Sequence, residues 1–287
     1  MSIKRVIILG GAGFLGACIA KELNRKEVFK VSYADVVKNP TLEINFIPID
    51  LLELKSLERL TKFDIIINCT GQITNPFNKC FLLNTDGIIN LTKIIDNCSS
   101  RIIQISTTAV YGSGKSCNET SPLNPETNYA SVKAVAEFLL KVNLDPSRLV
   151  ILRLTNLYGP KQKKGLAAYI LRSYLSDRSL SFNNDGKLIR SFLHVKDAAR
   201  VISKFSEESN LSGIYNIKGP DTDSIKNLIS SFEKEFQVEF AKKFSKIKPW
   251  ENIDNLSDSK LNTDLKIKYR NNIMTYFKKM IESPQNG

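Results

Sequence analysis

Tyr129 and Lys133 stand four residues apart in the run Tyr129-Ala130-Ser131-Val132-Lys133. On a helix that spacing turns a phenol and an ammonium to one surface. An unperturbed tyrosine, with a pKa of about 10, is a poor base at neutral pH, and a neighbouring cation favours its phenolate. Upstream, the strand ending Ile105-Ser106-Thr107 offers a hydroxyl that can hold a reacting oxygen for proton transfer. A Y-x-x-x-K pair alone is an ordinary feature of helix surfaces. Its weight comes from a glycine-rich turn, Gly10-Gly11-Ala12-Gly13-Phe14-Leu15-Gly16, which closes the first apolar run of the chain. Glycines at this spacing permit a tight turn and close approach of a pyrophosphate to the amides of a helix N-terminus. A dinucleotide held against a tyrosine base implies hydride chemistry on an alcohol or ketone, and its positive nicotinamide ring is a second cation that favours the phenolate.

The elements that must position these groups alternate along the chain. Val6 to Leu9 reads as a short buried strand, and Leu15, Cys18, Ile19 and Leu23 recur at helical spacing. The N-terminal segment therefore divides into strand, turn and helix. A secretory leader, the rival reading of Lys4-Arg5 and the apolar stretch to Ala20, needs no such break. A second strand, Val28 to Ala34, ends in Asp35, placed to accept hydrogen bonds from the adenosine ribose and to repel a 2'-phosphate, which favours NAD over NADP. A third, Ile44 to Ile49, runs into Asp50-Leu51, a polar and apolar pair for the edge and face of adenine. The fourth, Asp64 to Asn68, runs into Cys69-Thr70-Gly71, where glycine allows close backbone approach. Arg101 to Ser106 and Leu149 to Leu154 continue the alternation. The expected fold class is α/β, a Rossmann-like doubly wound parallel sheet with a smaller C-terminal lobe. The expected division is an NAD-binding domain over 1–160, completed by part of 188–202, and a mainly substrate-binding lobe over 161–287, with the substrate in the cleft between.

Composition narrows the function classes. The chain has 287 residues and five cysteines, at 18, 69, 80, 98 and 117, with no C-x-x-C pairing, which implies free thiols and a cytoplasmic location. With a single histidine and no cysteine cluster, no metal site is expected. A net charge of +12 raises the rival of a nucleic-acid binder. The lysines are scattered, however, and the densest group, Lys161 to Lys164, holds three. No nucleic-acid partner is expected, and no apolar stretch is long enough to span a bilayer.

Against this background GGAGFLG at 10–16, Asp35, Asp50-Leu51, Asn84, STTAVYG at 106–112, YASVK at 129–133, LRLTNLYGP at 152–160 and RSFLHVKDAA at 190–199 resemble the extended short-chain dehydrogenases/reductases of the NAD-dependent epimerase/dehydratase group. The resemblance covers about two-thirds of the chain in the family's order. It implies that Thr107 is the hydroxyl partner, Tyr129 the acid/base and Lys133 its activator. It implies that Gly10, Gly13, Phe14, Leu15 and Gly16, with Asp35, Asp50 and Leu51, bind NAD. Thr70, Gly71, Asn84 and Thr155 join them, as do Tyr129 and Lys133. Thr107, Thr108, Asn156 and Arg190 would face a nucleotide-diphosphate sugar. A homodimer through two helices is the family's usual state, and His194 resembles a hinge residue.

Departures from the family pattern point to hydride transfer alone. Related 4,6-dehydratases carry an acidic pair after the active-site threonine, where this chain has Thr108 and Ala109. A 4-epimerase is the expected activity. A reductase of a 4-keto sugar and a dinucleotide-binding sensor or assembly factor without turnover are the alternatives.

Overall fold

The computed structural model describes residues 3–72, 76–96, 98–247 and 250–282. Its centre is a seven-stranded sheet of β1 (Lys4–Leu9), β2 (Phe29–Asp35), β3 (Asn45–Pro48), β4 (Ile65–Asn68), β5 (Arg101–Thr107), β6 (Leu149–Leu154) and β7 (Gly213–Ile217). The order is β7-β6-β5-β4-β1-β2-β3, every neighbour parallel. The sequence explains why these segments are interior strands. β4 reads Ile-Ile-Ile-Asn and β6 Leu-Val-Ile-Leu-Arg-Leu, all buried, as strands covered on both faces must be. In β1, Val6 and Ile8 point into one core while Ile7 and Leu9 point into the other.

Helices Phe14–Leu23 and Val195–Glu207 cover the first face, and Asp86–Ile95 and Asn128–Asn143 the second. The Rossmann-like doubly wound sheet expected from the sequence is thus present. The last strand of the sheet is Gly213–Ile217, while Ile189–His194, just before the helix Val195–Glu207 that packs on the sheet, pairs parallel to Asn156–Tyr158 and antiparallel to Asp221–Ser224 in a separate three-stranded sheet. A third core, with Tyr158, Phe232 and Phe277 fully buried, holds helices Leu166–Tyr174, Ile225–Phe236 and Ile273–Glu282 around that small sheet. Among the described residues no helix is long and apolar enough to cross a membrane.

Two features of this frame place the site. Strand order reverses between β1 and β4, and ligands of open α/β sheets bind outside the strands' carboxyl ends at such a reversal. A short parallel pairing of Ile253–Leu256 with Gly114–Cys117 then draws the C-terminal segment across the mouth of the sheet.

Candidate active site

The glycine turn fixes one wall. Gly10 has φ +71°, a left-handed conformation that suits glycine, and a Cβ there would lie 3.1 Å from the carbonyl carbon of Cys69 at the end of β4. At Gly16 an added Cβ would lie 2.3 Å from the Gly10 oxygen, so the turn closes on itself only without side chains. Helix Phe14–Leu23 begins with no side-chain cap. Its first amides, which no helical carbonyl can satisfy, are left for an anion. Asp35 ends β2 beside the turn, accepting from the Ala12 amide at 3.1 Å and from the Val36 amide at 2.8 Å.

Two clefts meet at Tyr129. The larger, about 620 Å³, is walled by Gly10, Gly13, Phe14, Leu15 and Gly16, by Cys69 and Gln72 after β4, and by Ser106 and Thr107. The smaller, about 270 Å³, is lined by Thr107, Thr108, Arg190 and Glu251. Tyr129, Thr107, Thr155 and Asn156 belong to both.

Thr127 caps the helix that carries the tyrosine, its hydroxyl accepting from the Ala130 amide at 3.2 Å. This puts Tyr129 in the first turn. Lys133, Ala136, Glu137 and Leu140 then repeat as its buried face. The Tyr129 hydroxyl donates to the side-chain oxygen of Gln72. Lys133 is fully buried, and its ammonium nitrogen has no hydrogen-bond partner among the described residues. Burial brings its pKa down to about 8, against the opposing pull of Glu137, Cys69 and Cys80.

Burial pushes the pKa of Tyr129 up, the charges at Cys80 and Glu251 act in the same direction, and the Gln72 hydrogen bond opposes them.

A cradle of glycines at an uncapped helix start, a carboxylate ending β2 and a buried ammonium lacking an acceptor together fit a dinucleotide. Residues 6–217 match the NAD dependent epimerase/dehydratase family. The chain belongs to that family. It is accordingly an NAD-dependent enzyme of the extended short-chain dehydrogenase/reductase type. Among similar curated proteins, a dTDP-D-glucose 4,6-dehydratase of Dictyostelium discoideum is 26% identical over 252 residues, covering 75% of this chain and 58% of the relative. A UDP-N-acetyl-alpha-D-glucosaminuronate decarboxylase of Bacillus cytotoxicus is 28% identical over 255 residues, covering 78% of each. The fold is that of UDP-glucuronic acid 4-epimerase from Bacillus cereus, solved with UDP-glucuronic acid and NAD, with a TM-score of 0.83, 23% identity and 96% of each chain covered.

Other residues expected at the epimerase/dehydratase site fall into two groups. Thr155 lines both clefts, its hydroxyl donating to the Ile217 carbonyl at 3.3 Å and accepting from the Gly219 amide at 3.2 Å. Thr108 lines the smaller cleft, and Asn156 donates to the Ser191 carbonyl at 3.3 Å. Arg190 donates to the backbone oxygen of Glu251 at 2.6 Å, and its guanidinium lies 3.9 Å from that residue's carboxylate.

Five expected cofactor contacts, Asp50, Leu51, Thr70, Gly71 and Asn84, do not line the two clefts. Asn84 is buried, donating to the carbonyls of Gly71 at 3.0 Å and Cys80 at 2.8 Å. It holds the backbone of Gly71, which has φ +74°. Thr70 donates to the side chain of Asn68 at 2.6 Å. Asp50 is half-buried and accepts from the Leu52 amide at 3.0 Å, whereas Leu51 packs under helix Asp86–Ile95 beside Gly87. His194 behaves as a helix start: its ring accepts from the Lys196 amide at 3.2 Å and packs edge-on against Tyr158.

Two site residues were not legible in the sequence. Gln72 follows a segment whose end only the strand pattern marked. Glu251 reaches the cleft through a strand pairing between segments that no local spacing connects.

Proposed function

We propose that the protein is a nucleotide-sugar 4-epimerase whose NAD is recycled within each turnover. One observation carries this reading: Thr107 and Tyr129 meet where the two clefts join, with Lys133 buried one helical turn on, while Thr108 and Ala109 supply no carboxylate beside them. Gly10, Gly13, Phe14, Leu15 and Gly16 would hold the cofactor's pyrophosphate, Asp35 its adenosine ribose, and Lys133 its nicotinamide ribose through the unsatisfied ammonium. NAD supplies the acceptor that takes hydride from C4 of the sugar and gives it back to the other face. The hydroxyl of Thr107 positions the C4 oxygen. Tyr129 takes the proton of that oxygen and later returns it, once the phenol has left Gln72 and a positive charge stabilises its ionised form. Arg190 and Asn156 face the substrate's diphosphate.

Glu251 supports a second reading. It brings a carboxylate into the substrate cleft, the feature that Thr108 and Ala109 lack, and dehydration would need such an acid. Its oxygens are engaged, however, one accepting from Thr127 at 2.5 Å and the other facing Arg190. This favours a holding role for Glu251.

The exposed apolar side chains Phe77 and Phe81 on helix Phe77–Asn84, and Val135, Phe138 and Val142 on Asn128–Asn143, support a homodimer through these two helices. Five free cysteines support a reducing, cytoplasmic setting.

A nucleotide sugar carrying deuterium at C4 tests the reaction. An epimerase yields the epimer at unchanged mass with the label retained and no net consumption of cofactor. Product lighter by one water would establish dehydration through Glu251, and stoichiometric use of reduced cofactor on a 4-keto sugar would establish a reductase.

A further inference from the structure

A third cavity, about 980 Å³, lies on the outer side of the glycine turn and shares Gly13 and Phe14 with the larger cleft. Its cations come from four separate parts of the chain. Lys21 projects from the first helix, and Lys161, Lys163 and Lys164 from the loop after β6 and its following strand. Lys196, Arg270 and Lys279 complete the wall, and no aspartate or glutamate lines it. None of these seven side chains forms an ion pair among the described residues.

The backbone carrying these charges is fixed. Asp197, buried, accepts from the amides of Arg270 at 3.1 Å and Asn271 at 3.0 Å. Arg172 donates to the Lys163 carbonyl at 2.7 Å, Gln162 to the Leu157 carbonyl at 2.7 Å, and Tyr276 to the Gly159 carbonyl at 3.0 Å. The nearby carboxylates are spent: Asp197 on that segment and on Arg200, and Glu22 on Arg25. The excess of positive charge is felt by neighbouring groups. His194 is driven down to about 4 by burial and then by Lys196, Arg200 and Lys279, and Arg200 is lowered by burial and by Arg270. A concavity lined by one sign of charge focuses positive potential and favours a multivalent anion.

We propose that this cavity is a second anion site, binding an oligophosphate chain beside the cofactor groove. Its volume matches a small-molecule pocket rather than a flat polyanion track. The hydroxyl of Thr275 adds a donor, and Tyr276 and Met280 offer an apolar flank for a nucleoside attached to the phosphates. Because Gly13 and Phe14 are common to both spaces, occupancy here bears on cofactor exchange. The site does not depend on which sugar reaction the enzyme performs.

Calorimetric titration of the purified full chain with inorganic tripolyphosphate tests the proposal, alongside a nucleoside triphosphate to distinguish a bare oligophosphate from a nucleotide. Saturable binding of one anion per chain is expected, weakened by about tenfold or more in Lys196→Gln/Lys279→Gln and by raised salt. Thermal unfolding and NAD titration of the same variant check that its fold and cofactor groove are intact. Tighter binding of the nucleotide would identify the nucleoside as part of the ligand. Lys30→Gln/Lys62→Gln, exposed charges outside the cavity, should bind as wild type does. Absence of saturable binding would overturn the proposal, as would an equal loss in the control variant. So would binding that NAD abolishes and the double variant leaves unchanged, since the anion would then occupy the cofactor's own pyrophosphate seat.

Discussion

Glu137 and Arg153 form a buried ion pair behind the tyrosine helix, with the arginine Nε 3.0 and 3.2 Å from the two carboxylate oxygens and its Nη2 2.6 Å from one of them. The pair is embedded in a network. Ser106 donates to the carboxylate at 2.5 Å, Arg153 to the Tyr111 hydroxyl at 2.7 Å, and Tyr111 to Asn216 at 2.8 Å. One turn before Glu137 sits Lys133, whose charge this carboxylate favours. The pair thus ties the catalytic helix to β5 and β6, and it fixes the field at the site.

Removing one partner leaves a buried charge uncompensated, which typically costs about 3–5 kcal/mol, whereas replacing both with apolar groups is often close to neutral. Arg153→Met is expected to destabilise strongly, and Glu137→Leu/Arg153→Met to recover much of the loss. Urea unfolding of the wild type, Glu137→Leu, Arg153→Met and the double variant decides the matter. A double variant as unstable as the sum of both single changes would mean that the charges do not act as a pair.

Lys133 carries an opposite kind of cost. Folding lowers its pKa from 10.5 to about 8, so between those values the unfolded chain binds more protons, and stability falls as pH falls through the window. Below it both states are protonated and the penalty, on the order of 3 kcal/mol, is constant. Lys133→Met should therefore abolish turnover while raising the melting temperature of the cofactor-free enzyme at pH 7, with the gap closing above about pH 10.5. A variant that melts lower than wild type at pH 7 would remove this account of the buried ammonium.

Much of the fold was legible because parallel strands buried on both faces leave unbroken apolar runs. Val6 to Leu9 and Leu149 to Leu154 are such runs, and the glycine turn punctuates the first. The strand Gly213–Ile217 lacked that signature, since it contains Gly213 and Asn216 and earns its place only by pairing with β6. The site divided similarly. Tyr129, Thr107 and Lys133 lie on elements whose period gives their facing. At Asp50-Leu51 a strand end leaves the facing open: Leu51 is buried in the core and Asp50 is half-exposed. The upward shift of Tyr129 was hidden as well, since desolvation depends on what packs over the phenol, and Cys80 and Glu251, which add to it, come from segments far apart in the chain.

The assignment of Tyr129 as acid/base predicts that Tyr129→Phe loses turnover by at least about a hundredfold, the ordinary worth of a positioned proton carrier. NAD affinity should change little, because the turn and Asp35 are untouched. Stopped-assay rates and a cofactor titration measure the two effects separately. Activity within a few-fold of wild type would remove Tyr129 from the chemistry.

His194 gives the enzyme a defined acid sensitivity. Its folded pKa is about 4 against 6.5 when unperturbed, so the unfolded chain takes up the proton first and stability is lost as pH falls from 6.5 to 4. Protonation also removes the acceptor that caps the Lys196 amide. His194→Asn, which keeps a capping side chain but cannot titrate, should show a flatter decline by about 3 kcal/mol across that window. Parallel pH-stability curves for the two proteins would show that another group controls the transition.

Asp35 is asked to do two things, and substitutions can separate them. Its carboxylate holds the Ala12 amide of the glycine turn, and its charge lies where a 2'-phosphate on the adenosine ribose would approach. Asp35→Asn retains an acceptor for the amide while discharging the repulsion. This variant should keep its melting temperature and narrow the preference for NAD over NADP. Asp35→Ala loses the acceptor as well, and an amide left without a partner costs about 1–3 kcal/mol. It should melt lower and bind both cofactors less tightly, with the preference reduced to the same degree. Titration of the three proteins with each cofactor, beside their unfolding curves, resolves the two roles. A wild type that prefers NADP, or an asparagine variant that keeps the full preference for NAD, would show that selectivity resides elsewhere than in this charge.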